Sequence, residues 1–119
     1  MSENTTILLV DDSSFMRKVL RDIIESAGYV DFLEAGNGKE AIELYQKHHP
    51  AFVFLDIIMP DVNGMDVLRE IGTQAKVVVV SAVGQNAMVE EAKKLGALDY
   101  VIKPFERDLV LDTLRKYNK

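Results

Sequence analysis

Residues 7–28 read ILLVDDSSFMRKVLRDIIESAG, and this stretch decides the fold. Ile7-Leu-Leu-Val10 is a short apolar run of strand length. Directly after it, Met16, Val19, Leu20, Ile23, Ile24 and Ala27 recur at i, i+3, i+4, i+7, i+8 and i+11, the stripe of an amphipathic helix. Ser13 or Ser14 can cap the start of that helix, and Gly28 stands where a helix C′ glycine belongs. A strand feeding a helix with only a few residues between them is half of a βαβ unit, which calls for a parallel sheet.

The same alternation runs through the rest of the chain. Apolar, β-branched runs recur at Val30-Asp-Phe-Leu33, Phe52-Val-Phe-Leu55, Val77-Val-Val-Val80 and Tyr100-Val-Ile102. Helical stretches fill the gaps. The second opens at Asn37-Gly-Lys-Glu40, with capping-box spacing, and buries Ala41, Leu44 and Tyr45. A third, short one covers about 64–71. A fourth follows Gln85, sets Met88, Ala92 and Leu95 on one face and ends at Gly96. A fifth follows Pro104 and presents Val110, Leu111, Leu114 and Tyr117. Runs one, three and four are almost wholly apolar, as central parallel strands should be. Runs two and five have Asp31 and Asp99 close by and read as edges. The strand order 2-1-3-4-5 satisfies this, giving an α/β, flavodoxin-like doubly wound (βα)5 domain with helices on both faces of a five-stranded parallel sheet.

Composition bounds the function. The chain has 119 residues, with 14 Lys plus Arg against 19 Asp plus Glu and a formal charge of −5. That is one domain of about the usual size, large enough to bury about two-thirds of its unfolded surface. With no cysteine, disulfides, zinc–thiolate sites and thiol nucleophiles are excluded. The acidic balance argues against nucleic acid as a partner. Met1 to Thr6 has no basic residue, and the longest apolar stretch, Val77 to Val83, is strand-sized and interrupted by Ser81, so neither a signal peptide nor a membrane span is expected. The expected setting is the cytoplasm.

In a doubly wound sheet, sites form beyond the carboxyl ends of the strands. Strand one ends in Asp11-Asp12, strand three in Asp56, strand four in Ser81 and strand five in Lys103-Pro104. Strands 1, 3, 4 and 5 are neighbours in the expected order, so these side chains should converge on one rim. Clustered carboxylates repel, and at least one pKa should rise unless a cation is bound. A hard-oxygen set without His or Cys favours Mg2+, which takes one or two carboxylates and leaves room for phosphate oxygens. A carboxylate can itself accept a phosphoryl group. Mg2+ and Lys103 could neutralise the phosphoryl oxygens, and Ser81 could donate a hydrogen bond to one.

Each residue alone has a plainer reading. Asp11 or Asp12 could cap the first helix, Asp56 could be a turn residue ahead of Ile57-Ile-Met-Pro60, Ser81 a strand-end residue and Lys103 a solvated loop lysine. Their joint occurrence at adjacent strand ends favours a shared site. Tyr100 reads as well as a packed edge-strand aromatic as anything else. His48-His49 reads as a helix-end pair rather than a metal site. Met59, Met65 and Met88 read as gap-filling core residues. Glu90 and Glu91 with Lys94 read as a solvated face with weak i,i+3 and i,i+4 pairs, a partner contact there remaining open.

The sequence resembles the receiver domains of two-component response regulators, from Ile7 to about Tyr117. The matching features are Leu-Val-Asp11-Asp12, Leu55-Asp56-Ile-Ile-Met59-Pro60 followed by Gly64, Ser81-Ala82 and Lys103-Pro104-Phe105. The order 2-1-3-4-5 is itself that of CheY-type proteins, so it belongs to the resemblance. The resemblance implies that Asp56 is the phosphoacceptor. Asp12 would bind Mg2+ directly, Asp11 largely through water, and the backbone carbonyl of Ile58 would complete the protein ligands. Lys103 would contact the phosphoryl group. Ser81 and Tyr100 would form the switch: on phosphorylation the hydroxyl moves toward the phosphate, the ring turns inward, and the face made by the fourth helix, fifth strand and fifth helix is reshaped. Ile58 and Val83 would tune dephosphorylation.

Within the family, Ser13-Ser-Phe-Met-Arg17 and Ser81-Ala-Val-Gly-Gln85, with Met88 after it, look most like CheY-type chemotaxis regulators. That implies a CheA-type histidine kinase as phosphodonor, a flagellar or archaellar motor-switch or adaptor protein as target, a phosphatase, and a monomer. Position 57, Trp in enteric relatives, is Ile57, so enteric-specific partners are not carried over. The expectation is a single receiver domain over 1–119 with no effector domain, a switch that catalyses only its own phosphorylation and dephosphorylation. The alternatives are a phosphorelay intermediate passing its phosphate to a histidine phosphotransfer protein, and a small Mg2+-dependent phosphatase. The phosphatase class usually shows Asp-x-Asp after the first strand, which this chain lacks. A flavodoxin is disfavoured because Asp11-Asp12 would repel a flavin phosphate.

Overall fold

The computed structural model describes residues 5–59, 63–82 and 84–117. Pro60 and Val83 lie outside them. The elements alternate in chain order: β1 (Thr6–Val10), α1 (Ser14–Glu25), β2 (Asp31–Ala35), α2 (Gly38–His48), β3 (Phe52–Leu55), α3 (Gly64–Ile71), β4 (Val77–Ser81), α4 (Asn86–Lys94), β5 (Asp99–Ile102) and α5 (Arg107–Tyr117). All strand pairs are parallel, and the order is β2-β1-β3-β4-β5, the one that satisfies the apolar runs and that the resemblance implies. β2 and β5 are the edges. β2 begins one residue later than its apolar run and continues through Glu34 to Ala35, because the ladder with β1 carries it there.

The period of two along each strand divides the core into two layers. Ile7, Leu9, Phe52, Phe54, Val78, Val80 and Val101 pack with Leu20 and Ile24 of α1 and Val110 and Leu114 of α5. Leu8, Val10, Val53, Leu55, Val77 and Val79 face the other way, onto Ala41 and Tyr45 of α2, Val67, Leu68 and Ile71 of α3 and Ala92 of α4. Strands β1, β3 and β4 are therefore apolar on both faces, which is why they read as unbroken runs rather than alternations. Each fully buried Val, Leu, Ile or Phe contributes about 1.5–3 kcal/mol before ordering entropy is set against it. Met65 is buried, and Met59 and Met88, partly buried, pack against the same layer, so these three methionines serve the core.

Local signals end the helices as expected, with small adjustments. Ser13, not Ser14, is the N-cap of α1, its Oγ accepting from the Met16 amide at 3.2 Å. Gly28 does adopt a positive φ of 102°, but α1 stops earlier, with Ser26 as C-cap, and a tightened turn carries the chain to the glycine. Asn37 caps α2 through the Glu40 amide at 2.8 Å. The Glu40 carboxylate reaches back to the Gly36 amide, one residue earlier than a standard capping box. His49 closes α2 in the left-handed region, φ 47°, with its ring edge-on to Tyr45 at 5.3 Å between centroids. Among the described residues no helix is long and apolar enough to cross a membrane.

Candidate functional site: an acidic cluster at the strand ends

The parallel order brings the ends of β1, β3, β4 and β5 to one rim. Asp11 and Asp56 follow β1 and β3 and are nearly fully buried, while Asp12 is exposed. One carboxylate oxygen from each of Asp11, Asp12 and Asp56 lies within 4.8 Å of the others. Lys103, one residue beyond β5, spans the two buried acids. Its Nζ donates to Asp11 Oδ2 at 2.8 Å and to Asp56 Oδ2 at 3.0 Å. The second oxygen of each acid is held by backbone: Asp11 Oδ1 accepts from the Ser13 amide and Asp56 Oδ1 from the Ile58 amide, both at 2.9 Å. Buried charges need such partners, and each acid is tethered at both oxygens.

The electrostatics follow from burial and pairing. Burial pushes the Asp56 carboxyl above the ordinary carboxylate range, opposed by the Ile58 amide and Lys103. The sequence anticipates a raised carboxylate, but through like-charge repulsion; Asp11 contributes in that sense only as the smallest of the causes. Burial also works to lower the Lys103 pKa, yet its bonds to Asp11 and Asp56 outweigh it and hold the ammonium above its ordinary value. Lys103 is therefore firmly cationic at neutral pH. The donor set of hard carboxylate oxygens, one exposed to water and two anchored, fits Mg2+.

Ser81, the last residue of β4, is fully buried. Its side chain is hydrogen-bonded with the phenol of Tyr100 on β5. Burial raises the Tyr100 pKa, the bond with Ser81 opposes this, and the Asp56 charge adds to the rise. The ring also packs against the α2–α4 layer of the core. Ile58 is 51% exposed beside the cluster.

Two contacts are not legible in the strand-end motif. Arg17 Nη1 donates to the backbone carbonyl of Asp11 at 2.5 Å, and its Nε to Glu34 Oε1 on β2 at 2.8 Å. Arg17 ends one of the stretches that carry the resemblance, but the signal for its contact is positional: Arg17, Leu20 and Ile24 share a face of α1, so a charged residue stands on the side that packs against the sheet. Gly64, itself part of the matching motif, is the second case, since the motif does not show what the residue touches. A Cβ there would collide with the backbone of Asp56 and Ile57, so α3 can begin only against the β3 exit if that residue is glycine.

The chain belongs to the response regulator receiver domain family, which matches residues 7–115. It is a CheY-like receiver of two-component signalling, a switch module by class. It is 48% identical over 116 residues to the chemotaxis protein CheY of Thermotoga maritima, covering 95% of this chain and 97% of that one. With the chemotaxis protein CheY of Bacillus subtilis it shares 42% identity over 113 residues, 92% of this chain and 94% of the relative. A chain in the crystal structure of the CheX–CheY–BeF3–Mg2+ complex from Borrelia burgdorferi superposes with a TM-score of 0.90 at 33% identity, covering 97% of this chain and 90% of that one.

Proposed function

We propose that this protein is a chemotaxis response regulator that takes a phosphoryl group from a CheA-type histidine kinase onto Asp56. The observation that carries the reading is the convergence of Asp11, Asp12 and Asp56 under the single ammonium of Lys103. In the transfer, an Asp56 carboxylate oxygen forms a bond to phosphorus as the bond from phosphorus to the donor imidazole breaks. The histidine nitrogen leaves with its electron pair. The chain's task is positioning and charge neutralisation. The backbone amide of Ile58 orients Asp56, and Lys103, released from Asp56, follows the negative charge onto the phosphoryl oxygens. Asp12 and Asp56, with Asp11 largely through water and the Ile58 carbonyl, would hold Mg2+. When bound there, it supplies charge neutralisation between carboxylate and phosphoryl oxygens.

Ser81 then donates to the phosphoryl group, and Tyr100, already its hydrogen-bond partner, follows it. The readout is the face made by α4, β5 and α5, which would dock on a flagellar or archaellar switch or adaptor protein in the cytoplasm. The high similarity to two CheY proteins and to a CheX–CheY complex chain supports this reading. Moving a switch from 1:99 to 99:1 takes about 5.5 kcal/mol of differential stabilisation.

Incubation with Mg2+ and acetyl phosphate, read by intact mass, tests the proposal. A single phosphoryl adduct is expected, and Asp56→Ala is expected to abolish it. An adduct that survives the substitution overturns the acceptor assignment. Under the same conditions, transfer of label to a histidine phosphotransfer protein, rather than retention with a motility component, would point to the relay reading.

A further inference from the structure

Asp11 has every polar group engaged. Its amide donates to the Ala35 carbonyl at 3.1 Å, Oδ1 accepts from Ser13 and Oδ2 from Lys103. Its backbone carbonyl accepts from Arg17 Nη1 at 2.5 Å. That carbonyl belongs to the peptide plane joining Asp11 to Asp12. A planar peptide moves as one piece, so fixing its oxygen also fixes the amide and Cα of the exposed Asp12. Asp12 has no side-chain hydrogen bond among the described residues that could orient it otherwise.

Arg17 is itself held. Its side chain is 18% exposed, and its Nε donates to Glu34 Oε1. Arg21 Nη1 takes the other Glu34 oxygen at 3.1 Å, and its guanidinium lies 5.0 Å over the Phe32 ring. The Arg17 hydrogen bond leads the causes that hold the Glu34 carboxyl below its ordinary range. A rigid guanidinium fork thus bridges the exit of β1 and the side chain of β2, a role a lysine could not fill with one point charge.

Resting on the reading of the acidic cluster as a Mg2+ site, we propose that Arg17 is a positioning residue for that site. It acts through the Asp11 carbonyl, setting the orientation of the Asp11-Asp12 pair, with Glu34 as its brace. Outer contacts of this kind commonly change metal affinity about 10–100-fold.

The test is Mg2+ binding to Arg17→Ala, Arg21→Ala and wild type, followed by calorimetry and by the amide shifts of Asp12 and Ser13, well below each melting temperature. Arg17→Ala is expected to weaken Mg2+ binding about tenfold. Arg21→Ala, which touches Glu34 but no strand carbonyl, is expected to stay within about twofold of wild type by the same measure. In acetyl phosphate assays the half-saturating Mg2+ concentration should rise for Arg17→Ala, with the rate at saturating Mg2+ little changed. If folded Arg17→Ala binds Mg2+ like wild type, or if Arg21→Ala weakens binding equally, Arg17 only tethers helix to sheet and the proposal fails. If wild type binds no Mg2+, the reading of the cluster itself falls, and this proposal with it.

Discussion

At Asp56 two demands oppose each other. In the proposed phosphoryl transfer the residue must be ionised to attack phosphorus, yet burial disfavours that ion and leaves its pKa raised. A raised carboxylate pKa means that the folded state holds the proton more tightly than the unfolded state. Stability then falls as pH rises from the ordinary carboxylate value through the folded one, and above that the full penalty remains. Asp56→Asn removes the ion while its Oδ1 can still accept from Ile58. In cation-free buffer this variant should melt higher than wild type at neutral pH, with the gap shrinking as pH approaches 4. Thermal melts at several pH values check this, and an Asn variant less stable at pH 7 would show that Lys103 more than compensates the buried charge. Asp56, Asp11, Asp12, Ser81 and Lys103 are all legible as polar residues ending apolar runs. The Arg17 contact is not, because sequence spacing shows which face a side chain takes but not that a backbone carbonyl waits beneath it.

Among the elements, α4 is the most lightly seated helix. Only Ala92 is buried along its length, and its N-cap residue Gln85 offers no side-chain hydrogen bond. Its other end is clamped. Gly96, φ 114°, and Gly72 pass so closely that a Cβ on Gly96 would collide with the Gly72 backbone, and one on Gly72 with the Leu95 carbonyl. Arg69 of α3 pairs with Glu91 at 3.1 Å. The sequence places Glu91 in a pair with Lys94 on its own helix. The structure sends it across to α3 instead, because the glycine crossing draws the two helices together. Gly96→Ala should cost about 1–3 kcal/mol, from its unfavourable φ and the collision together. Gly36→Ala, whose Cβ would make only an ordinary 3.5 Å contact with Arg17, should change stability far less. Urea denaturation of both variants checks the contrast; equal losses would mean the crossing can relax. Helix existence here was readable from apolar period and glycine punctuation. The backbone approach was not, because it depends on how two helices separated by a strand come to lie on the sheet.

Across the whole molecule, folding gathers negative charge that the unfolded chain keeps apart. Mg2+ that binds the folded state should therefore stabilise it by mass action, by about 2.7 kcal/mol at a hundredfold excess over its dissociation constant. The melting temperature should rise with millimolar Mg2+ in wild type and much less in Asp12→Ala. An unchanged wild-type melting temperature would count against the cluster as a cation site. The fold class was legible, since the run lengths and their two-sided apolar character mark a parallel sheet with strands two and five at its edges, while the order of the central strands came with the family resemblance. The precise start of β2 and the end of α1 were not, being settled by ladder partners and a turn rather than by hydrophobic period.

Lys103 closes the site from 92 residues away from Asp11 and 47 from Asp56. During synthesis, every acid of the cluster leaves the ribosome well before the lysine does. A nascent chain or a truncated product ending before β5 would carry the carboxylates without their cation. Completion of the cluster is thereby coupled to completion of the chain: only a chain translated and folded through its fifth strand brings the Lys103 ammonium onto Asp11 and Asp56.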